Sequence, residues 1–175
     1  MKNRGFTLIE TVIYLALFGM LMGGAVVAAF NLFESAERQI TRAALQNEGS
    51  FLMGKIQWAV SGAQAVNLPA GGTSGSQLSV NKVTGLDVDG LPIITAVTIH
   101  LPSAPGDVFI QNGAIGPLKL NGQDIQVSSL TFLHTIASGN GVDPESVQAN
   151  ATLTARTPNG MLLSQDFSTT VYVRR

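Results

Sequence analysis

From residue 11 to residue 33 the chain carries no charged side chain, and a single acid, Glu10, stands at the head of that run. A helix needs roughly 20 apolar residues, at about 1.5 Å each, to cross bilayer hydrocarbon, so this segment is long enough to span. Lys2 and Arg4 precede it, whereas the first charges after it are Glu34, Glu37 and Arg38. The basic excess on the N-terminal side predicts a cytoplasmic N-terminus, with the remainder of the chain across the membrane.

The 45% apolar content and the positive mean hydropathy come largely from residues 6–33. The rest reads as an average chain rich in Gly, Ser, Thr and Asn, long enough for about one small domain. Net charge is -1, from 10 basic and 11 acidic residues, and loss of Lys2 and Arg4 would make it -3. No basic tract suggests a nucleic-acid partner. With no cysteine, disulfide staples and thiolate metal sites are excluded.

Three readings of the apolar segment compete. A secretory signal peptide has a basic n-region, an apolar h-region and small residues at its cleavage site, here near residues 25–29. Against it, the run exceeds the usual h-region of about 7 to 15 residues, and a signal peptide has no use for Glu10. A plain anchor would keep Glu10 close enough to the interface to be hydrated. The third reading begins from cost: a charge at mid-bilayer costs about 2.5 to 3.5 kcal/mol on insertion scales and marks function by default. Glu10 wants a cationic partner, and every other residue from 6 to 33 is uncharged. The partner then comes from another molecule, or from a newly exposed α-amine.

The order Lys2-Asn3-Arg4-Gly5 followed by Phe6-Thr7-Leu8-Ile9-Glu10 closely resembles the N-terminus of type IV pilin-like proteins. The resemblance implies that a prepilin peptidase cuts between Gly5 and Phe6 and methylates the new N-terminal Phe6. It also implies that Glu10 is the assembly glutamate, paired in a filament with the N-terminal amine of a neighbouring subunit. That amine is the external cation the apolar surroundings of Glu10 require. The partners implied are other pilin or pseudopilin subunits, the prepilin peptidase, an inner-membrane assembly platform, and membrane lipid before assembly. The location implied is the cytoplasmic membrane, crossed once, with the globular part periplasmic or extracellular until it enters a filament. The similarity is close over residues 1–33 and weak over the helix beyond.

One departure concerns the late apolar segment, where many major pilins carry a helix-breaking proline. This chain has no proline before Pro69 and places Val26 and Val27 there. Gly19, Gly23 and Gly24 loosen the helix instead, each costing roughly 1 kcal/mol relative to alanine. Gly19 and Gly23 also form a G-x-x-x-G pair that favours close helix contact, or are simply tolerated in an apolar span. The lack of paired cysteines and the long alternating C-terminal strands resemble a minor subunit, the J-type minor pseudopilin among them, and Glu10 argues against the tip-most one.

After residue 33 helix formers carry the chain forward without a break signal. Apolar residues recur at Ile40, Ala44, Leu52, Ile56, Ala59, Ala63 and Val66, the stripe of a helix packed on one side. Gly49 and Gly54 weaken it locally, and Glu34 with Arg38 makes a helpful i,i+4 pair. Trp58 lies near the stripe and reads as core. Helix over roughly 6–62 would be about 85 Å long, more than a bilayer needs. Pro69-Ala70-Gly71-Gly72-Thr73-Ser74-Gly75-Ser76 is a loop by composition. Beyond it, residues 93–101, 147–156 and 167–173 alternate with period two, and 77–83, 108–111 and 125–136 are less regular strand candidates. Asp89-Gly90, Asn112-Gly113, Asn121-Gly122 and Asn159-Gly160 read as tight turns.

The expected fold class is therefore α+β: a long N-terminal helix whose C-terminal half packs on an antiparallel sheet. Its parts are a leader at 1–5, a membrane and assembly helix at 6–33, an amphipathic continuation at 34–66, and a β-rich globular domain at 67–175. His100 and His134 sit in strand-like stretches without metal-ligand spacing and read as sheet residues. Asp87-Val88-Asp89-Gly90 lacks the glycine and glutamate that a calcium loop needs further on, so it reads as a turn. Asp143-Pro144-Glu145 reads as an acidic loop. No G-x-S-x-G elbow or base partner is visible, so neither catalysis nor a cofactor is expected. A secreted or anchored binding domain, such as an adhesin, remains the alternative.

Overall fold

The computed structural model describes residues 7–137 and 144–173. The chain divides into two compact units, Met1–Ile40 and Thr41–Arg175. A single helix, α1 (Leu8–Val60), starts in the first and ends in the second. In the first unit every side chain from residue 11 to 33 is exposed, and the helix is long and apolar enough there to cross a membrane. Helix with no apolar partner inside the chain is what a membrane-spanning segment looks like outside its lipid.

In the second unit α1 buries one stripe: Thr41, Leu45, Gly49, Leu52, Ile56, Ala59 and Val60. The expected stripe is right from Leu52 to Ala59 but out of phase before it, where Ile40 and Ala44 are exposed. Gly49 explains the shift. It lies beneath the Phe167 ring so closely that an added Cβ would sit 2.1 Å from Phe167 Cζ. A position that packs by lacking a side chain cannot register as apolar in a periodicity count.

The helix also ends sooner than the stripe suggests. Its last bond runs from Ser61 N–H to Gln57 O (2.8 Å), and Gly62 follows at φ +75°. A left-handed glycine just past the last turn is a standard helix stop. Ala63 and Val66, expected on the helix, instead belong to strand β1 (Ala63–Leu68).

Eight further strands follow: β2 (Ser74–Gly75), β3 (Gln77–Leu86), β4 (Pro92–His100), β5 (Phe109–Asn112), β6 (Ile115–Lys119), β7 (Ile125–Thr135), β8 (Ser146–Arg156) and β9 (Leu162–Tyr172). They form two antiparallel sheets, ordered β1-β3-β4-β5-β6 and β2-β7-β8-β9. Period-two alternation sends Leu78, Val80, Val97 and Ile99 from the first sheet, and Val127, Phe132, Val147, Ala149 and Leu153 from the second, into one core with the α1 stripe. The architecture is the expected α+β arrangement, with two sheets in place of one.

The sheets are joined where Gly106 and Val127 exchange backbone hydrogen bonds of 3.0 and 2.9 Å. Buried Asn121 locks that joint: its Oδ1 accepts from Val108 N–H (2.8 Å), and its Nδ2 donates to Ile125 O (2.6 Å) and Asp107 Oδ1 (3.0 Å). Asn121-Gly122 is thus a polar rivet rather than the positive-φ hairpin turn expected: neither residue takes positive φ, and the Asn121 side chain bridges the segments on either side of it. Gly90, Gly113 and Gly160 do take positive φ at the other three turns.

Two outcomes follow from this packing. In Gly49→Ala, overpacking against Phe167, about 1 to 3 kcal/mol, outweighs the helix gain of about 1 kcal/mol. Net destabilisation is expected in equilibrium denaturation followed by the sole tryptophan, Trp58, and it should vanish in a Phe167→Leu background. Separately, Lys119 Nζ (2.9 Å) and then Asn121 donate to Asp107 and hold its carboxyl below its ordinary value of 3.8. A depressed carboxyl stabilises the fold above its unfolded value and loses that contribution as pH falls through the folded one. The stability gap between the native chain and Asp107→Asn should therefore be widest above pH 3.8 and close progressively below it, as read by denaturation at stepped pH.

Candidate functional site

The N-terminal site is built by helix initiation. Thr7 precedes the first helical residue and its carbonyl accepts the first helical bond, from Thr11 N–H at 3.2 Å. Its Oγ1 lies 3.4 Å from Glu10 N–H, the geometry of a threonine N-cap. Glu10 falls in the first turn, where the unpaired N–H groups and the helix dipole favour a negative charge. Thr7-Leu8-Ile9-Glu10 also has the T-x-x-E spacing of a capping box, a signal visible in the sequence alone. Glu10 is therefore held at the start of the helix, three residues after its cap. Gly5 and Phe6 lie outside the described residues.

Beyond Glu10 the helix surface is uncharged until Glu34, whose carboxylate pairs with Arg38 across one turn. Both partners are nearly half exposed, so the pair adds little stability. Gly19 and Gly23 share a face, and nothing lies within 4 Å of where their Cβ atoms would be. That face leaves room for a second helix to approach closely.

The other candidates resolve into structure. His134 is buried, with Nδ1 3.0 Å from Pro69 O and Nε2 3.0 Å from Glu145 Oε1. Its backbone also exchanges hydrogen bonds with Gly72 and Thr73, so it ties the 69–75 loop to β7. Glu145 reaches His134 from just before the neighbouring strand β8, a pairing with no local signature in the sequence. Asp143, the other acid of that loop, lies outside the described residues. His100 is a β4 residue tilted against the Phe109 ring. Asp87 builds the β3–β4 turn, its Oδ1 accepting from Asp89 and Leu91 N–H at 2.9 Å each. Among the described residues no group of three or more His, Asp or Glu is arranged to hold a metal ion.

Trp58 departs from its expected place in the core. It is 45% exposed, with Lys82 Nζ 4.1 Å from the ring centroid and donating to the Trp58 carbonyl. Desolvation there lowers the Lys82 pKa from its ordinary value. The indole lies one helical step outside the stripe, which spacing alone does not separate from a core position.

Residues 1–26 match the family model of the prokaryotic N-terminal methylation motif. No curated protein and no solved structure matches the chain. The motif marks a substrate of prepilin peptidase that assembles with other pilins, and together with the fold it points to a structural subunit rather than an enzyme. The apolar helix ahead of a folded domain makes the protein membrane-anchored. A methylation motif on residues 1–26, a long N-terminal helix and two antiparallel sheets together support a type IV pilin-like protein.

Proposed function

We propose that the chain is a structural subunit of a type IV pilus or type II secretion pseudopilus, cut between Gly5 and Phe6, methylated on Phe6 and assembled through its N-terminal helix. The observation that carries this reading is Glu10: one carboxylate in the first turn of a helix whose surface is otherwise uncharged for more than twenty residues. Lipid offers that helix no hydrophobic reason to leave for a bundle of similar helices. Close packing, helped by the open Gly19/Gly23 face, and an ion pair between Glu10 and a neighbour's amine supply the preference.

Each processing step has a physical consequence in this scheme. Hydrolysis at Gly5 removes Lys2 and Arg4 and creates the amine. The Thr7 cap opens the helix and sets Glu10 in its first turn. Before assembly, the cytoplasmic membrane holds the helix with its N-terminus inward, as the flanking charges favour, and the globular domain lies on the far side. Within the family, the cysteine-free domain with its long β8 and β9 supports a minor subunit, with the J-type pseudopilin as the subclass proposed.

The intact mass of the chain from membranes of cells containing the peptidase tests the processing. It should correspond to a polypeptide beginning at N-methylated Phe6. A product beginning near residue 30 would identify a conventional signal peptide, and an uncut chain a plain anchor; either result overturns the proposal.

A further inference from the structure

Two surfaces of the Thr41–Arg175 unit are unusual, and they complement each other. The first is a two-stranded arm. β3 and β4 pair with each other as far as Leu86 and Pro92, but β1 accompanies β3 only to Lys82, and β5 accompanies β4 only from Val97. Residues 83–94 therefore project beyond the sheet as a bare hairpin, every one of them exposed. Leu86, Val88, Leu91, Ile93 and Ile94 are among them, with Val88 at the tip fully exposed. An isolated hairpin is marginal in water, and so concentrated an apolar surface marks an interaction site. Its turn carries Asp89, which makes no ion pair among the described residues, while Asp87 is occupied in shaping the turn.

The second surface is a groove of ≈ 330 Å³ between α1 and the β5–β6 hairpin. Phe51 and Trp58 line one wall, and Ile115 and Leu118 the other; all four are exposed. Lys55 lies 5.3 Å from the Phe51 centroid and Lys82 lies over Trp58, and neither makes an ion pair among the described residues. The groove is thus apolar and aromatic with a cationic rim. β6 is the edge strand of its sheet, and Pro117 removes an N–H from it. A regular added strand is disfavoured there, so recognition falls to side chains.

We infer that the β3–β4 arm of one copy docks in the Phe51/Trp58/Leu118 groove of a second copy, with apolar arm residues entering the groove and Asp89 meeting the Lys55 and Lys82 rim. Charge complementarity selects this occupant. A lipid surface would suit the arm's leucines and isoleucines but would penalise two aspartates at its tip, whereas a lysine rim favours them. Arm and groove share no residue, so each copy carries both halves of the contact, and two copies can engage reciprocally or successive copies in a chain. Both surfaces lie within residues 41–175, so the contact goes beyond the proposed role of Glu10 and does not depend on cleavage at Gly5.

Native cysteines are absent, so cross-linking reads the contact cleanly. Two differently tagged full-length chains, one Val88→Cys and one Leu118→Cys, are reconstituted together in lipid nanodiscs and treated with a short bis-maleimide. The mixed dimer should form in about tenfold excess over that of Val88→Cys with Ser168→Cys, a control on the exposed face of β9. Adding Asp89→Lys to the first chain should lower the yield about tenfold, and Lys55→Glu in the second should restore it, since like charges at a rim repel and opposite ones steer. Equal yields at Leu118 and Ser168, or a loss with Asp89→Lys that Lys55→Glu does not reverse, overturns the inference. So does shielding of Val88→Cys from a membrane-impermeant maleimide without a mixed dimer, which would place the arm in lipid. None of these results changes the expected mass of the processed chain, so the two readings fail separately.

Discussion

A helix that is apolar on every side has no place inside a domain of this size, and that constraint organises the chain. From residue 11 to 33 every side chain of α1 is exposed among the described residues, whereas from Thr41 to Val60 one stripe is buried. The same continuous hydrogen-bond ladder therefore serves two environments. In one, backbone bonds must be satisfied internally because lipid offers none; in the other, burial of Leu45, Leu52 and Ile56 against two sheets supplies the stability. Glu10 is the single exception in the apolar part, and an isolated carboxylate in low dielectric is tolerated only if a partner is provided.

What could be read from the sequence was what depends on local chemistry. The membrane-length run, the processing motif, the strands of β4, β8 and β9, and three of the four turns follow from spacing and from residues that accept positive φ. The rest required information from distant parts of the chain. Gly49 is core because Phe167 lies on it, and nothing near residue 49 announces that. β1 carries register shifts that blur its alternation, and β6 is exposed at every position and contains a proline, so neither shows a period-two signal. The division into two sheets hinges on Asn121 and the Gly106–Val127 bridge, which spacing reads only as a turn and a loop.

The candidate site divides the same way. The motif that contains Gly5, Phe6 and Glu10 stands out in the sequence because it is contiguous and because one acid in an apolar run has a definite energetic meaning. Trp58 was not. Its neighbours Lys82 and Leu118 arrive from β3 and β6, and only the assembled fold shows an exposed indole with a cation over its face beside an open groove. The strand β7 histidine is similar: His134 and Glu145 read separately as a sheet residue and a surface acid, yet they form a largely buried pair that secures the 69–75 loop.

We propose that Glu10 serves assembly rather than processing or anchoring. Its carboxylate is held at the helix head, and its loss would leave a neighbour's amine without a counter-charge in an apolar bundle, a penalty of several kcal/mol. The direct measurement is the amount of Glu10→Ala chain in filaments sheared from cells that carry the assembly machinery, relative to native chain and normalised to processed chain in the membrane. Normal cleavage and methylation are expected, with incorporation reduced by more than about tenfold. Incorporation at the native level would contradict it.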